Sequence, residues 1–259
     1  MSGDPGAVRF ERRGTTAVIT IDRPAARNAM TWAMYEQLGE ALDRVAADAE
    51  LRVTVLRGAG RHFVSGTDIA QFAEFTSADD GLAYERRFDA LMARLESLPT
   101  ATLAAVQGFA TGGGMAIAAT CDLRVCTPDA RFGVPIARTV GNCLSMANYA
   151  RLVASLGAAR TKSLLYTATF LGAEEARAAG FVTAVIAPEE FEKQLEGLCQ
   201  TLAAHAPITL QVTREAIRRI VERTNGEGDD LVRRAYGSGD FREGVSAFRE
   251  KRAPRWKGR

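Results

Sequence analysis

Histidine and cysteine are scarce in this chain of 259 residues, which has two histidines and four cysteines. The cysteines are Cys121, Cys126, Cys143 and Cys199, and no two of them form a C-x-x-C pair. Zinc sites combine cysteines and histidines at short spacing, and disulfide frameworks need a higher cysteine density. The sequence therefore predicts no metal site and no disulfide framework, and we expect a reducing, cytoplasmic location.

A strong excess of charge is also absent, because 33 basic and 31 acidic residues leave a net charge of +2. Such a balance gives no sign of a nucleic-acid or membrane-surface partner. No run of about 18 apolar residues occurs, and residues 1–8 lack the apolar region of a secretory signal. We therefore expect a protein that binds neither nucleic acid nor membrane.

Strand-like apolar runs alternate with helical periodicity through the first two-thirds of the chain. The runs lie at 18–21, 53–56, 102–106 and 123–126, and Thr31 is placed to cap a helix after the first of them. This alternation is typical of an α/β fold with parallel strands. The last quarter of the chain is predicted to be helical.

Three consecutive glycines, Gly112, Gly113 and Gly114, join the run at 102–106 to a helix-like segment. Glycine lets the backbone approach a ligand closely, and free N–H groups at a helix N-terminus favour negative charge. A second turn, 65–68, also lies between an apolar run and a helix-like segment. Either turn alone is also typical of tight packing or of an ordinary turn. Two N–H donors aimed at one point would form an oxyanion hole. The two turns together therefore predict an oxyanion hole in this chain.

Six motifs in order resemble those of the enoyl-CoA hydratase/isomerase, or crotonase, superfamily. They are IDRP with RNAM at 21–30, FVSGTDI at 63–69, VQGFATGGG at 106–114, CDLR at 121–124, ARFG at 130–133, and EGVSAF with KR at 243–252. The resemblance implies a crotonase-like spiral of ββα units with a C-terminal helical trimerisation region. We accordingly expect a core with an acyl-CoA site at 1–195 and a helical oligomerisation region at 196–259.

The same resemblance implies a coenzyme A thioester substrate, no permanently bound cofactor, and a homotrimer or a dimer of trimers. By motif, the backbone N–H groups of Thr67 and Gly113 would form the oxyanion hole, and Thr67 would act only through its backbone. The substrate-binding residues implied are Arg23, Arg27, Ala29, Asp68, Ile69 and Lys251. Lys251 would reach the CoA phosphates of its own or a neighbouring subunit, Asp68 would mainly fix the loop, and each arginine could instead be an ordinary surface residue.

The chain departs from the pattern at both glutamates that hydratases of the superfamily use. Ala116 stands at the first position, and Ile136 and Ala137 follow Pro135 at the second. Adding water to a double bond needs a base for the water and an acid for the α-carbon. We therefore predict that the chain is not an efficient hydratase.

Other residues are candidates for the missing chemistry. The segment 138–145 resembles the G-N-D stretch of 4-chlorobenzoyl-CoA dehalogenases, whose nucleophilic aspartate aligns with Cys143 or Asn142. A thiol at a helix N-terminus has a lowered pKa, although a buried structural cysteine fits the pattern as well. Arg138 would bind a substrate carboxylate or stabilise an enolate, or else form a salt bridge. Glu85, on the helix expected to roof the acyl pocket, is an acid–base candidate, with a solvated helix face as the alternative.

The sequence thus favours an enzyme that acts on an acyl-CoA through an oxyanion hole, with an enolate or a tetrahedral intermediate. Lyase, hydrolase and isomerase reactions all remain open. Two alternatives are a C–C bond hydrolase of a β-diketone, which would need no CoA, and a non-catalytic acyl-CoA-binding or oligomeric protein.

Overall fold

The computed structural model describes residues 5–222 and 228–257, which form two sheets surrounded by helices. In chain order the strands are β1 (Ala7–Arg13), β2 (Thr16–Asp22), β3 (Val53–Gly58), β4 (Ala101–Val106), β5 (Phe109–Thr111), β6 (Leu123–Cys126), β7 (Arg131–Gly133), β8 (Leu171–Gly172) and β9 (Ala184–Val185). The larger sheet has the order β1-β2-β3-β4-β6-β9, and the smaller has the order β5-β7-β8. All pairs from β2 to β9 in the larger sheet are parallel, which confirms the predicted α/β class.

Helices connect the strands and make up the C-terminal part. They are α1 (Trp32–Ala47), α2 (Ala78–Glu96), α3 (Gly113–Thr120), α4 (Ile136–Thr139), α5 (Met146–Leu156), α6 (Ala158–Thr167), α7 (Ala173–Ala178), α8 (Phe191–Ala204), α9 (Pro207–Glu222), α10 (Asp229–Tyr236) and α11 (Gly239–Arg249). Short 3-10 turns lie at Pro24–Ala26, Ile69–Glu74 and Pro188–Glu190. Among the described residues, no helix combines the length and apolarity needed to cross a membrane.

Local signals fix the two helices that carry the site. Thr31 caps α1 as predicted, because its side chain accepts a hydrogen bond from Met34 N–H. Ser77 and Asp80 form a reciprocal capping box at the start of α2. Both helices therefore begin at defined residues, and the buried face of each is set by its register from that point.

The larger sheet is covered on both faces. Helices α1, α2 and α3 pack on one face in the main hydrophobic core, which includes Ile19 and Leu38. On the other face α8 inserts Phe191, Leu195 and Cys199 against β2, β3 and β4. The division expected at residue 195 falls within this helix.

The C-terminal helices continue around the molecule. Helix α9 has four apolar side chains that are at least half exposed: Ile208, Val212, Ile217 and Ile220. This surface is consistent with a trimerisation region. Helices α10 and α11 instead return to the core, where Val232, Tyr236 and Phe241 pack with Phe72 and Leu82 in a separate hydrophobic cluster. This return places Tyr236 beside α2.

Candidate active site

The two turns predicted from the sequence meet at a cavity of about 620 Å³. Val64 and Ala110 form a parallel β-bridge, and Thr111 N–H donates to the Val64 carbonyl at 2.9 Å. The cavity walls come from the loop 25–29, the segment 65–72, helix α2, the glycine turn and the segment 135–144. The pairing of the turns therefore builds one site from distant parts of the chain.

Glycine at 112 and 114 is required by this close approach. Gly112 adopts a φ of 54°, in the left-handed region that side chains disfavour. A Cβ at Gly114 would lie 2.0 Å from the backbone oxygen of Val64, which no packing adjustment would relieve. The first turn of α3 is thereby held directly against the segment that ends at Thr67.

Thr67 and Gly113, whose backbone N–H groups were predicted to be the oxyanion donors, both line this cavity. Met30 N–H donates to Gly66 O at 2.8 Å and Met30 O accepts from Asp68 N–H at 2.9 Å, so the N–H of Thr67 between them points the other way. Gly113 opens α3, where an N–H has no intrahelical partner. Within residues 5–222 and 228–257 neither N–H donates to another group. Two unused donors therefore lie in the cavity lining.

The Thr67 side chain corrects the expectation that this residue acts only through its backbone. Its Oγ1 lies 2.7 Å from the Tyr35 hydroxyl and 2.8 Å from the Tyr84 hydroxyl. Burial raises the pKa of both tyrosines, which keeps their hydroxyls protonated. The three hydroxyls tie the 65–68 turn to α1 and α2.

Glu85 lies in the same cavity and is almost completely buried, with 5% of its surface exposed. The Tyr236 hydroxyl donates to its Oε1 at 2.6 Å, and Ser145 N–H donates to its Oε2 at 3.1 Å. Burial raises the pKa of Glu85 from 4.5 to about 7, and the nearby Asp89 adds to this effect, while the two donors oppose it. A carboxyl with such a pKa can take or give a proton near neutral pH.

The position of Glu85 excludes the solvated helix face considered for it. Helix α10 covers this side of α2, so that Glu85 lies beneath another layer. Asp89 accepts hydrogen bonds from Ser145 Oγ at 2.8 Å and Asn148 Nδ2 at 3.3 Å. Ser145, the cap of α5, is thereby bonded to both Glu85 and Asp89 of α2.

Known proteins match this chain along almost its whole length. The model of the family described as enoyl-CoA hydratase/isomerase matches residues 11–259. The chain belongs to this family. It is similar to the 2,3-dehydroadipyl-CoA hydratase of Escherichia coli (strain K12), with 32% identity over 252 residues, 96% of this chain and 97% of the relative. The short-chain-enoyl-CoA hydratase of Clostridium acetobutylicum is 31% identical over 250 residues, 95% of each chain.

A decarboxylase has a closely similar structure. A crystal structure of methylmalonyl-CoA decarboxylase complexed with 2S-carboxypropyl-CoA matches with a TM-score of 0.88, 25% identity and 100% coverage of each chain. Members of the enoyl-CoA hydratase/isomerase family with this fold therefore include proteins named for different reactions on acyl-CoA thioesters. Family membership alone does not specify the reaction, which depends on the side chains in the site of this chain.

The two positions expected to hold the family's glutamates are apolar walls of the cavity. Ala116 and Ile136 both line it. Glu85 reaches the same cavity from α2, which packs against α3 where Ala116 lies. The site thus contains a buried carboxyl on α2, at a position where the family motifs place no glutamate.

Cys143 does not have the environment predicted for a nucleophile. It lines the cavity, but α5 begins only at Met146 and Ser145 is its cap, so the thiol is outside the helix terminus. Burial, and to a lesser extent the Glu85 charge, raise the pKa of the Cys143 thiol to about 12. The prediction of a lowered pKa is therefore wrong.

We expect Cys143→Ala to leave turnover within about twofold of the unchanged enzyme, because a thiol with a raised pKa is not ionised near neutrality. Steady-state rates with any accepted acyl-CoA would measure this, and mass spectrometry would detect a covalent thioester or thioether. A large loss of rate together with an adduct on Cys143 would contradict the expectation.

Arg138 also lies outside the cavity lining. It is exposed on α4, a helix whose Ile136 and Thr139 line the cavity instead. Arg138 therefore does not line the cavity in which it was predicted to bind a substrate carboxylate or stabilise an enolate. Asn142, in contrast, lines the cavity and donates from Nδ2 to the Tyr236 hydroxyl at 3.0 Å.

Some of the residues expected to bind CoA line the cavity, and the others support its loop or lie outside it. Arg27, Ala29, Asp68 and Ile69 line the cavity. Arg23 pairs with Asp68 at 2.8 Å and donates to the Ala29 carbonyl at 3.1 Å, so it braces the loop. Asp68 also accepts from Ala70 N–H as the cap of the 3-10 turn, the loop-fixing role expected for it. Lys251 is exposed and outside the lining of this cavity.

Tyr236 is the main site residue that the motifs did not indicate. It is 151 positions from Glu85 in sequence, so no local pattern connects them. Glu85 itself had a detectable signal, because it occupies an apolar position in the buried stripe of α2. That stripe is Leu82, Glu85, Phe88, Met92 and Leu95.

Proposed function

We propose that this chain catalyses proton transfer at the carbon next to the thioester carbonyl of an acyl-CoA, through an enolate intermediate. The observation that carries the proposal is that a buried carboxyl with a pKa of about 7, Glu85, shares one cavity with the unused N–H groups of Thr67 and Gly113. Isomerisation of an unsaturated acyl group and protonation of an enolate released by C–C cleavage both use this step.

The two N–H groups would hold the thioester oxygen. When a proton leaves the α-carbon, negative charge develops on that oxygen, and two fixed backbone donors stabilise it. Each such donor contributes about 3 kcal/mol to the transition state in enzymes of known mechanism. Arg27, Ala29, Asp68 and Ile69 would form the CoA side of the cavity, with Arg23 supporting the loop.

Glu85 would be the group that takes the proton and returns it. A general base or acid is most efficient when its pKa lies near the working pH. The other carboxyl in the described lining, Asp68, is paired with Arg23. One available carboxyl supports sequential transfer of one proton, whereas hydration needs separate partners for the water and for the carbon. The proposal therefore retains the prediction that hydration is inefficient.

Glu85 also argues against a purely structural protein. A carboxyl buried with a raised pKa destabilises the folded state at neutral pH. An apolar residue at this position of the α2 stripe would serve packing better, so the carboxyl is explained by chemistry rather than by scaffolding. A homotrimer or a dimer of trimers remains our prediction for the assembly.

Deuterium uptake tests the proposal. The enzyme would be incubated in D₂O with 3-butenoyl-CoA, butyryl-CoA and crotonyl-CoA, and the thioesters analysed by mass spectrometry and NMR. We expect deuterium at the α-carbon of 3-butenoyl-CoA or butyryl-CoA and slow hydration of crotonyl-CoA. Fast hydration without exchange in the other thioesters would overturn the proposal.

The acyl group should be neutral. Arg27 is the one basic side chain in the described cavity lining, and Glu85 adds negative charge above pH 7. We expect butyryl-CoA to bind about tenfold or more tightly than succinyl-CoA at pH 8, since an unpaired carboxylate is costly to desolvate.

Calorimetric titration at pH 6 and pH 8 measures this preference. It should shrink at pH 6, where Glu85 takes up a proton, and should depend little on pH in Glu85→Gln. Equal or tighter binding of succinyl-CoA at pH 8 would contradict the expectation.

A further inference from the structure

Tyr236 contacts the cavity residues Glu85 and Asn142, and its position is tightly defined. A Cβ at Gly81 would lie 2.1 Å from Tyr236 Cγ, so the ring rests directly on the backbone of α2. Its other side packs on Phe241, with 4.8 Å between the ring centroids. The ring cannot move without displacing these neighbours, and its hydroxyl is held between Asn142 and Glu85.

The hydroxyl forms the middle of a short hydrogen-bond chain. Asn142 Nδ2 donates to the Tyr236 oxygen at 3.0 Å, and the Tyr236 hydroxyl donates to Glu85 Oε1 at 2.6 Å. In this direction the chain ends on the carboxylate and stabilises the ionised form of Glu85.

The same three side chains fit the opposite direction. If the Asn142 amide turns over, its Oδ1 accepts from the Tyr236 hydroxyl, and the Tyr236 oxygen accepts a proton carried on Glu85 Oε1. The two ends of an amide have nearly the same shape, and Asn142 Oδ1 is buried without a hydrogen-bond partner among the described residues. No contact of that oxygen therefore opposes the reversal.

Ser145 determines which carboxyl oxygen takes part. Its backbone N–H donates to Oε2 in either state, because an N–H cannot accept. This donor favours Oε2 as the carbonyl oxygen of the neutral acid and leaves Oε1 for the proton. The proton of neutral Glu85 thus lies where Tyr236 can accept it.

We propose that Tyr236 and Asn142 are positioning residues that give Glu85 a hydrogen-bond partner in both of its protonation states. The carboxyl then keeps its place in the cavity whether it is about to take a proton or to return one. This inference rests on the proposed acid–base role of Glu85. It adds that a reversible chain of neutral side chains supports that role.

Several other groups face this part of the site and belong to its titration. Asp89 on α2 raises the pKa of Glu85. The remaining groups in electrostatic contact with Glu85 or with Asp89 are Tyr35, Tyr84, Cys143, Tyr149, Tyr236, Glu96 and Arg151. Burial raises the pKa of the tyrosines and of the thiol, so they stay neutral while Glu85 titrates. Arg151 is paired with Glu96 at 2.8 Å.

Infrared difference spectroscopy of the free protein tests the inference without substrate. The carboxylic-acid stretch of Glu85, assigned by its loss in Glu85→Gln, is followed against pH. Tyr236→Phe keeps the ring but removes the hydroxyl. Because the charge-assisted bond to the ionised carboxylate is stronger than the bond to the neutral acid, the midpoint should rise by about one pH unit, a tenfold change in proton affinity. Asn142→Ala should give a smaller shift, because Tyr236 can still donate.

Tyr149→Phe is the matched control, since Tyr149 lies near Glu85 without a hydrogen bond to it. Its midpoint should equal that of the unchanged protein. An unshifted midpoint in folded Tyr236→Phe, checked by circular dichroism, would overturn the inference. Because the titration needs no turnover, a shifted midpoint with no deuterium exchange would support the chain and reject the proposed function.

Discussion

Replacing Glu85 by glutamine is expected to slow α-proton exchange at least about a hundredfold, because a general acid–base group contributes roughly 10²–10⁴ to the rate. The variant keeps the size of the side chain and an oxygen to accept from Ser145 or Tyr236, so the cavity should keep its shape. The loss should fall on kcat rather than on thioester binding. Glu74→Gln, on an exposed turn outside the cavity lining, should have unchanged kinetics.

The same variant should change how stability depends on pH. The pKa of Glu85 is about 7 in the folded protein and near 4.5 when exposed, so unfolding releases a proton between these values. A carboxyl whose pKa is raised by folding lowers the free energy of unfolding of the protein as pH rises through this interval, by about 3 kcal/mol in total. Glutamine does not titrate, so the stability of Glu85→Gln relative to that of the unchanged protein should increase from pH 5 to pH 8.

Urea unfolding at both pH values measures this gain, and Glu74→Gln again serves as the control. A Glu85→Gln protein that retained full exchange activity would remove Glu85 from the mechanism. A stability difference independent of pH would show that Glu85 does not titrate in this interval.

Replacing Gly113 by proline should be about as damaging as the loss of Glu85. Proline is accepted at the first position of a helix but has no N–H, so the variant removes one donor from the proposed oxyanion hole. Loss of such a donor costs about 10²–10³ in kcat. The added Cβ would lie 2.9 Å from the Tyr35 hydroxyl, which is itself a perturbation.

Gly113→Ala separates the two effects, since alanine places the same Cβ and keeps the N–H. We therefore expect the proline variant to exchange the α-proton about a hundredfold or more slowly than the alanine variant, with similar thermal unfolding. Equal rates for the two variants would show that the Gly113 N–H does not contact the developing charge.

The sequence predicted the parts of the site that depend on neighbours along the chain. The cap at Thr31, the glycine turn and the strand before it follow from local propensities that tertiary contacts did not override. The two turns suggested a pair of N–H donors, and the family motifs assigned these to Thr67 and Gly113. These features are local or repeat a motif, and both kinds of information are carried by short stretches of sequence.

Glu85 was named from the sequence as an acid–base candidate, but its surroundings and those of Cys143 could not be predicted in the same way. Cys143 was expected at a helix N-terminus because the family resemblance places a catalytic group there, whereas α5 starts only at Met146. The burial of Glu85 depends on α10, whose Tyr236 comes from far along the chain. Burial by a distant element, rather than the identity of the residue, determines the pKa of the carboxyl.

Tyr84 and Glu85 are consecutive on α2, and consecutive helical residues diverge by about 100°. Tyr84 is bonded to the turn that presents the Thr67 N–H, while Glu85 projects as the acid–base carboxyl. Helix α2 therefore links the proposed acid–base carboxyl of Glu85 to the turn that carries the proposed oxyanion donor of Thr67. If this helix shifts when a thioester enters or leaves the cavity, Glu85 and the Thr67 turn would move together, and the distance between them would stay the same.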